Sequence, residues 1–130
     1  MNIIMECNSL SVTGLEDSFA ICFGAMEDDE LQEYVMLQTS FDEEQTSNDQ
    51  IYLEINDQSC STYGGILKCV LNPENLTFYV TDSAASELGL DAPGEMQIKL
   101  QLDEEQVEEL TLALNEVVFQ NQDTLEIQDL

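Results

Sequence analysis

The chain contains no histidine and no arginine, and its only cations are Lys68 and Lys99. Each absence closes a line of chemistry. Without imidazole there is no ordinary general base and no Ser-His or Cys-His nucleophile pair. Without guanidinium there is no bidentate clamp for phosphate. Two ammonium groups are too few to hold a nucleic-acid backbone, which is bound by neutralising several phosphates at once. No catalytic residue and no direct nucleic-acid contact are expected. No apolar run is long enough to cross a bilayer, so no membrane association is expected. No basic region precedes an apolar run, as a secretory leader requires. A cytoplasmic location is the expectation.

Cysteine pairing in the sequence is also absent. Cys7, Cys22, Cys60 and Cys69 stand alone, with no C-x-x-C pair. Their spacing favours neither a disulfide framework nor a zinc site. Three of them lie in apolar, strand-like segments, which fits buried reduced thiols. No metal or other cofactor is expected.

What the chain does have is acid. There are 28 Asp and Glu residues, and the formal net charge is −26. The length of 130 residues and an apolar share of 43% still describe a globular chain, taken as a single domain over 1–130 with a modest core. Solubility needs a net charge of only about 2–8 in a small domain, far less than this chain carries. A field of this sign repels nucleic acid and draws in basic surfaces.

The clearest local pattern runs from Gly94 to Phe119. Met96, Ile98, Leu100 and Leu102 alternate with Gln97, Lys99 and Gln101, as in a strand with one dry face. Asp103 with Gln106 three residues later reads as a capping box. Glu104 and Glu105 suit the positive end of the helix dipole. Val107, Leu110, Leu114, Val117 and Val118 then recur at helical spacing, predicting an amphipathic helix of about four turns.

Upstream, Ile3–Val12 reads as a first strand of uncertain register. Phe19–Phe23 is an apolar run fitting a central strand, and Tyr34–Leu37 and Ile51–Ile55 continue the strand pattern. Phe41–Gln50 and Asn56–Gly65 read as loops. Gly64-Gly65 calls for positive φ or a close backbone approach. Ile66–Leu71 and Leu76–Val80 form a hairpin around Asn72-Pro73-Glu74-Asn75. Asp82 or Ser83 caps a short helix that Gly89 ends. The tail, 120–130, reads as a frayed end, with an added strand as the alternative. The fold class is α+β: a curved, mostly antiparallel sheet of about seven strands, covered by one long C-terminal helix plus one short helix.

The candidate contact residues follow from charge and aromaticity. Asp28, Asp29 and Glu30 form one acidic turn, and Asp42, Glu43, Glu44 and Asp49 fall in an acidic loop. Asp57 sits in the next loop. Neither acidic cluster has the spacing of a calcium loop, so solvated or partner-facing charge is the expectation. Tyr63, ahead of the two glycines, and Tyr52 are candidates because tyrosine is frequent at interface hot spots. The Tyr63-Gly64-Gly65 loop precedes a strand and not a helix, which argues against phosphate binding.

Several of these stretches together resemble the immunity protein 10 family of bacterial polymorphic-toxin systems. They are Tyr63-Gly64-Gly65-Ile66, Leu76-Thr77-Phe78-Tyr79-Val80, Ser83-Ala84-Ala85-Ser86-Glu87-Leu88-Gly89-Leu90, and the strand–helix unit with Leu110 and Leu114. The resemblance covers roughly residues 60–119; residues 1–59 match only in being acidic and strand-rich. It implies a non-enzymatic cytoplasmic antidote that binds and neutralises a toxin, often a nuclease, and it transfers no catalytic or interface residues. The partner would be a basic protein toxin. Neither a monomer nor a dimer is favoured. Two other readings compete. An acidic DNA-mimic or decoy would block a nucleic-acid-binding protein, and would space its carboxylates like phosphates along one elongated face. A hydrolase built on paired carboxylates would need a buried cleft holding one desolvated Glu beside an exposed Asp. Acidic loops around an apolar or aromatic patch would mark the inhibitor.

Overall fold

The computed structural model describes residues 3–14, 18–40, 51–90, 94–119 and 123–128. Alternating apolar residues in the first half become β1 (Ile3–Cys7), β2 (Ser9–Gly14), β3 (Ser18–Glu27), β4 (Glu30–Ser40), β5 (Tyr52–Ile55) and β6 (Asp57–Tyr63). The second half supplies β7 (Ile66–Leu71), β8 (Asn75–Val80), helix α1 (Asp82–Leu88) and β9 (Glu95–Leu100). Helix α2 (Glu104–Leu112), a π-helical segment (Ala113–Val118) and β10 (Leu125–Ile127) follow.

The described strands form two five-stranded sheets, not one sheet of about seven. Sheet I has the order β2-β3-β4-β5-β6, and every pair in it is antiparallel. Sheet II has the order β1-β9-β8-β7-β10. Its β7–β8 and β8–β9 pairs are antiparallel, but β1 runs parallel to β9 and β10 parallel to β7. Short connections do give antiparallel neighbours. The parallel pairs join strands far apart in sequence, which local patterning does not reveal.

Three further expectations are corrected. The first strand is two strands in different sheets. The break falls at Asn8, whose side chain donates to the Met26 carbonyl at 2.9 Å and accepts from the Met26 N–H at 2.8 Å. The loop expected at Asn56–Gly65 is largely the edge strand β6. Its polar sequence shows no alternation because it buries little beyond Thr62, 5% exposed, while α1 packs beside it. The tail is not frayed over Leu125–Ile127: the Thr124 carbonyl accepts from the Cys69 N–H, and the Gln128 N–H donates to the Leu71 carbonyl, both at 2.8 Å.

The expected long C-terminal helix is also corrected. α2 ends after 9 residues, and the chain continues with π geometry, marked by the Phe119 N–H donating to Leu114 at 2.9 Å. The wider turn changes the helical phase by about one residue. That lets Val118 and Phe119 both be buried along with Leu110 and Leu114. The capping box forms as read, with Asp103 accepting from the Gln106 N–H at 2.8 Å. The cap of α1 is Thr81, ahead of the expected Asp82 or Ser83 by one or two residues, and Gly89 ends the helix in the left-handed region at φ 74.

One buried cluster draws on both sheets and both helical elements. It includes Ile21, Phe23, Val35, Leu37 and Leu53 from sheet I and Cys7, Leu71, Phe78, Met96 and Ile98 from sheet II. All four cysteines are free; Cys7 and Cys69 are buried, Cys22 and Cys60 half-buried. Burial pushes the Cys69 thiol far above its usual range, which keeps it protonated. No described helix is long and apolar enough to cross a membrane.

Candidate functional site

Strand alternation decides which side chains leave the core. On β4, Val35, Leu37 and Thr39 point inward, so Tyr34, Met36 and Gln38 lie on the opposite face of sheet I. The register carries that face across neighbouring strands. Met36 stands opposite Glu54, Gln38 opposite Tyr52, and Tyr52 opposite Tyr63. Three of the four tyrosines of the chain therefore share one face of one sheet.

Their centre is Glu54. It is only 5% exposed, and both carboxylate oxygens are engaged. The Tyr34 hydroxyl donates to Oε2 at 2.5 Å, and the Tyr52 hydroxyl donates to Oε1. The Tyr52 and Tyr63 rings meet at 4.9 Å between centroids, inclined by 52°. Such tilted pairs are favoured by the ring quadrupoles. Tyr63 is 73% exposed and offers its ring to solvent.

Asn56 positions Tyr34. It adopts the left-handed region at φ 61, which asparagine tolerates better than most residues. Its side chain accepts from the Tyr34 N–H at 2.7 Å, and its own N–H donates to the Tyr34 carbonyl at 3.0 Å. Asp57 follows, fully exposed. Its carboxylate accepts from the Ser59 N–H at 2.9 Å, which holds its pKa below the usual value.

The start of β4 carries the acidic turn. Asp28 and Asp29 both have positive φ, 52 and 65, as a tight hairpin turn requires. Asp28, Asp29 and Glu30 are all exposed. Leu31 follows, 51% exposed, with its Cδ1 lying 3.0 Å from where a Gly24 Cβ would stand. Gly24 is the cross-strand neighbour of Tyr34, so Leu31 and Tyr34 flank the same bare stretch of backbone.

The structure thus brings Tyr52 and Tyr63 together, puts Asp57 at the edge of their sheet, and sets Asp28, Asp29 and Glu30 at the tip of the adjoining hairpin. Asp42, Glu43, Glu44 and Asp49 lie outside the described residues. Sequence reading missed Tyr34 and Glu54. The spacing Tyr52-x-Glu54 does place both on one strand face. Nothing local shows that Tyr34 reaches the same carboxylate from 20 residues away. Among the described residues no group of three or more potential ligands is arranged to hold a metal ion.

Charge divides the two sheets. Lys68 and Lys99 both lie on sheet II, paired with Glu126 at 3.4 Å and Glu6 at 3.8 Å. Neither lysine is on sheet I, and among the described residues no carboxylate of that sheet is paired with a cation.

The profile of the immunity protein 10 family matches residues 7–108, most of the chain. The chain belongs to that family. The match reaches well upstream of the stretch whose motifs carry the resemblance, and takes in the tyrosine face of sheet I. No curated protein matches the chain. Membership points to toxin neutralisation as the general role and to a toxin as the general kind of partner. Such family members are typically non-catalytic.

The Tyr34 hydroxyl is pushed up to about 12, first by its hydrogen bond to the Glu54 carboxylate. The Tyr52 hydroxyl is also raised, chiefly by burial and then by Glu54. An unfolded tyrosine ionises near pH 10. Above that pH the unfolded chain gives up a proton that the folded chain keeps, so stability falls as pH rises from about 10 towards 12. With Glu54→Gln the charge behind the shift is gone. A tyrosinate absorbance titration is then expected to show Tyr34 ionising nearer its ordinary value, while an unchanged titration curve would contradict the assigned cause.

Proposed function

We propose that this immunity protein neutralises a basic, nuclease-like protein toxin in the cytoplasm, without catalysis, by laying the tyrosine face of sheet I over the toxin's cationic surface. One observation carries the reading: Tyr34, Tyr52, Tyr63 and Leu31 form an aromatic and apolar patch bordered by Asp28, Asp29, Glu30 and Asp57, while both lysines sit on the other sheet. Interfaces combine anchors of this kind with a polar rim. A negative rim also steers a basic partner into encounter. Asp42, Glu43, Glu44 and Asp49, which fall between β4 and β5 in the sequence, remain proposed contact residues for the same partner.

The acids that border sheet I surround aromatic side chains, which supports an inhibitor over a DNA-mimicking decoy. The test is direct. The open reading frame immediately upstream of the chain's gene is expected to encode the toxin domain; the chain is mixed with that product, and complex formation and toxin activity are measured. An equimolar complex with toxin activity abolished is expected. A Tyr63→Ala variant is expected to bind about tenfold more weakly, as for a moderate hot spot. Full toxin activity in the presence of excess chain would defeat the proposal.

A further inference from the structure

A buried carboxylate is costly unless a cation or several hydrogen bonds compensate it. Glu54 has the hydrogen bonds but no cation. The chain's two candidates, Lys68 and Lys99, are committed to Glu126 and Glu6 on the other sheet. Those hydrogen bonds stabilise the Glu54 carboxylate without neutralising it, so among the described residues its charge has no partner cation and is open to one from outside.

The hydroxyls above it carry that charge to the surface. Tyr34 and Tyr52 each donate their single proton to Glu54. The Tyr52 oxygen also bonds the Ser61 side chain; the lone pairs that remain on the two phenolic oxygens make both act towards solvent only as acceptors. Donation to a carboxylate polarises the O–H bond and strengthens the oxygen as an acceptor. Beside them stands the exposed ring of Tyr63, held at a fixed tilt against Tyr52. Two acceptors, a negative charge beneath them and an open aromatic face match one chemical group: a planar cation with several N–H donors. A guanidinium fits that description; an ammonium has the charge but not the plane.

We propose that Tyr34, Tyr52 and Tyr63 around Glu54 form a seat for one arginine side chain of the toxin. The inference rests on the toxin-binding reading and names the group it captures. The guanidinium stacks on Tyr63 and donates to the two phenolic oxygens, and Glu54 supplies the counter-charge from below. The seat explains why a strand face in so acidic a chain keeps a single, shielded carboxylate among tyrosines.

The test needs no toxin. The full chain is titrated with the acetylated, amidated tripeptide Gly-Arg-Gly, with its lysine counterpart and with its neutral citrulline counterpart, and the tyrosine ring signals are followed by NMR. Saturable shifts of Tyr34, Tyr52 and Tyr63 with the arginine peptide are expected, about fivefold weaker binding with lysine, and none with citrulline. Glu54→Gln is expected to weaken arginine binding by about tenfold. Neutralising exposed acids away from sheet I, with Glu108→Gln and Glu109→Gln on α2, should change it by less than about twofold, since those charges act only through a screened field. Equal binding by the Glu54→Gln chain, or equal binding of arginine and lysine, would overturn the seat. Should Glu54→Gln fail to fold, Tyr63→Leu decides the matter at an exposed position: about threefold weaker binding is expected, and no change overturns the proposal. A chain that neutralises toxin but ignores the arginine peptide discards the seat alone; one that binds the peptide but no toxin discards the toxin-binding reading.

Discussion

Removing the charge at the tip of the β3–β4 hairpin slows toxin association by about tenfold at low ionic strength and leaves dissociation nearly unchanged. The suitable variant is Asp28→Asn, Asp29→Asn and Glu30→Lys. Asp28 and Asp29 both hold positive φ, and asparagine accepts that region as readily as aspartate, so the turn survives. Lysine at position 30, at the start of β4, reverses a charge where the backbone is extended. These side chains are exposed and bound to nothing buried, so they act on encounter rather than on the docked complex. Their influence is screened by salt and should disappear near 1 M, where the Debye length is about 3 Å. Stopped-flow association kinetics across a salt series checks this. Rates that match the unmodified chain at low salt would remove the hairpin from the binding surface.

Gly65→Ala destabilises the fold by about 2–4 kcal/mol, through backbone strain and overpacking acting together. Gly65 sits between β6 and β7 with φ +84, and a Cβ there would stand 2.6 Å from the Cβ of Ala84. Neither neighbour gives way easily. Ala84 is buried on α1, and the Gly65 carbonyl accepts from the Thr81 N–H at 2.9 Å, just where that helix is capped. The substitution pushes α1 away from the junction of the two sheets. Gly14→Ala is the control: among the described residues a Cβ there would meet only the Phe19 ring, at 3.8 Å. Denaturant unfolding of both variants separates the outcomes. A Gly65→Ala chain as stable as the Gly14→Ala chain would mean that the close approach is not a constraint.

The fold was legible where local rules suffice. The β7–β8 hairpin, the alternation of β9, the capping box at Asp103 and the glycine stop at Gly89 each follow from residues within a few positions of one another. What escaped is non-local or unpatterned. The division into two sheets depends on Asn8 binding the Met26 backbone, 18 residues away. Strand β6 is hidden because its polar side chains show no period. The parallel strand β10 is short and acidic, and is fixed by a partner more than fifty residues earlier. The π-helical turn is set by how Val118 and Phe119 enter the core. The candidate site divides the same way. Tyr52, Tyr63 and the acidic turns stood out as residue types, but the register of β4 on β5 is what makes Tyr34 and Glu54 part of the same face.

Cross-saturation from a protonated toxin to the isotope-labelled chain reads the docking face atom by atom. The account predicts strong saturation at Leu31, Tyr34, Tyr52 and Tyr63, and little at Lys68, Val70 and Tyr79. Saturation confined to that second group, on the outward face of sheet II, would contradict it.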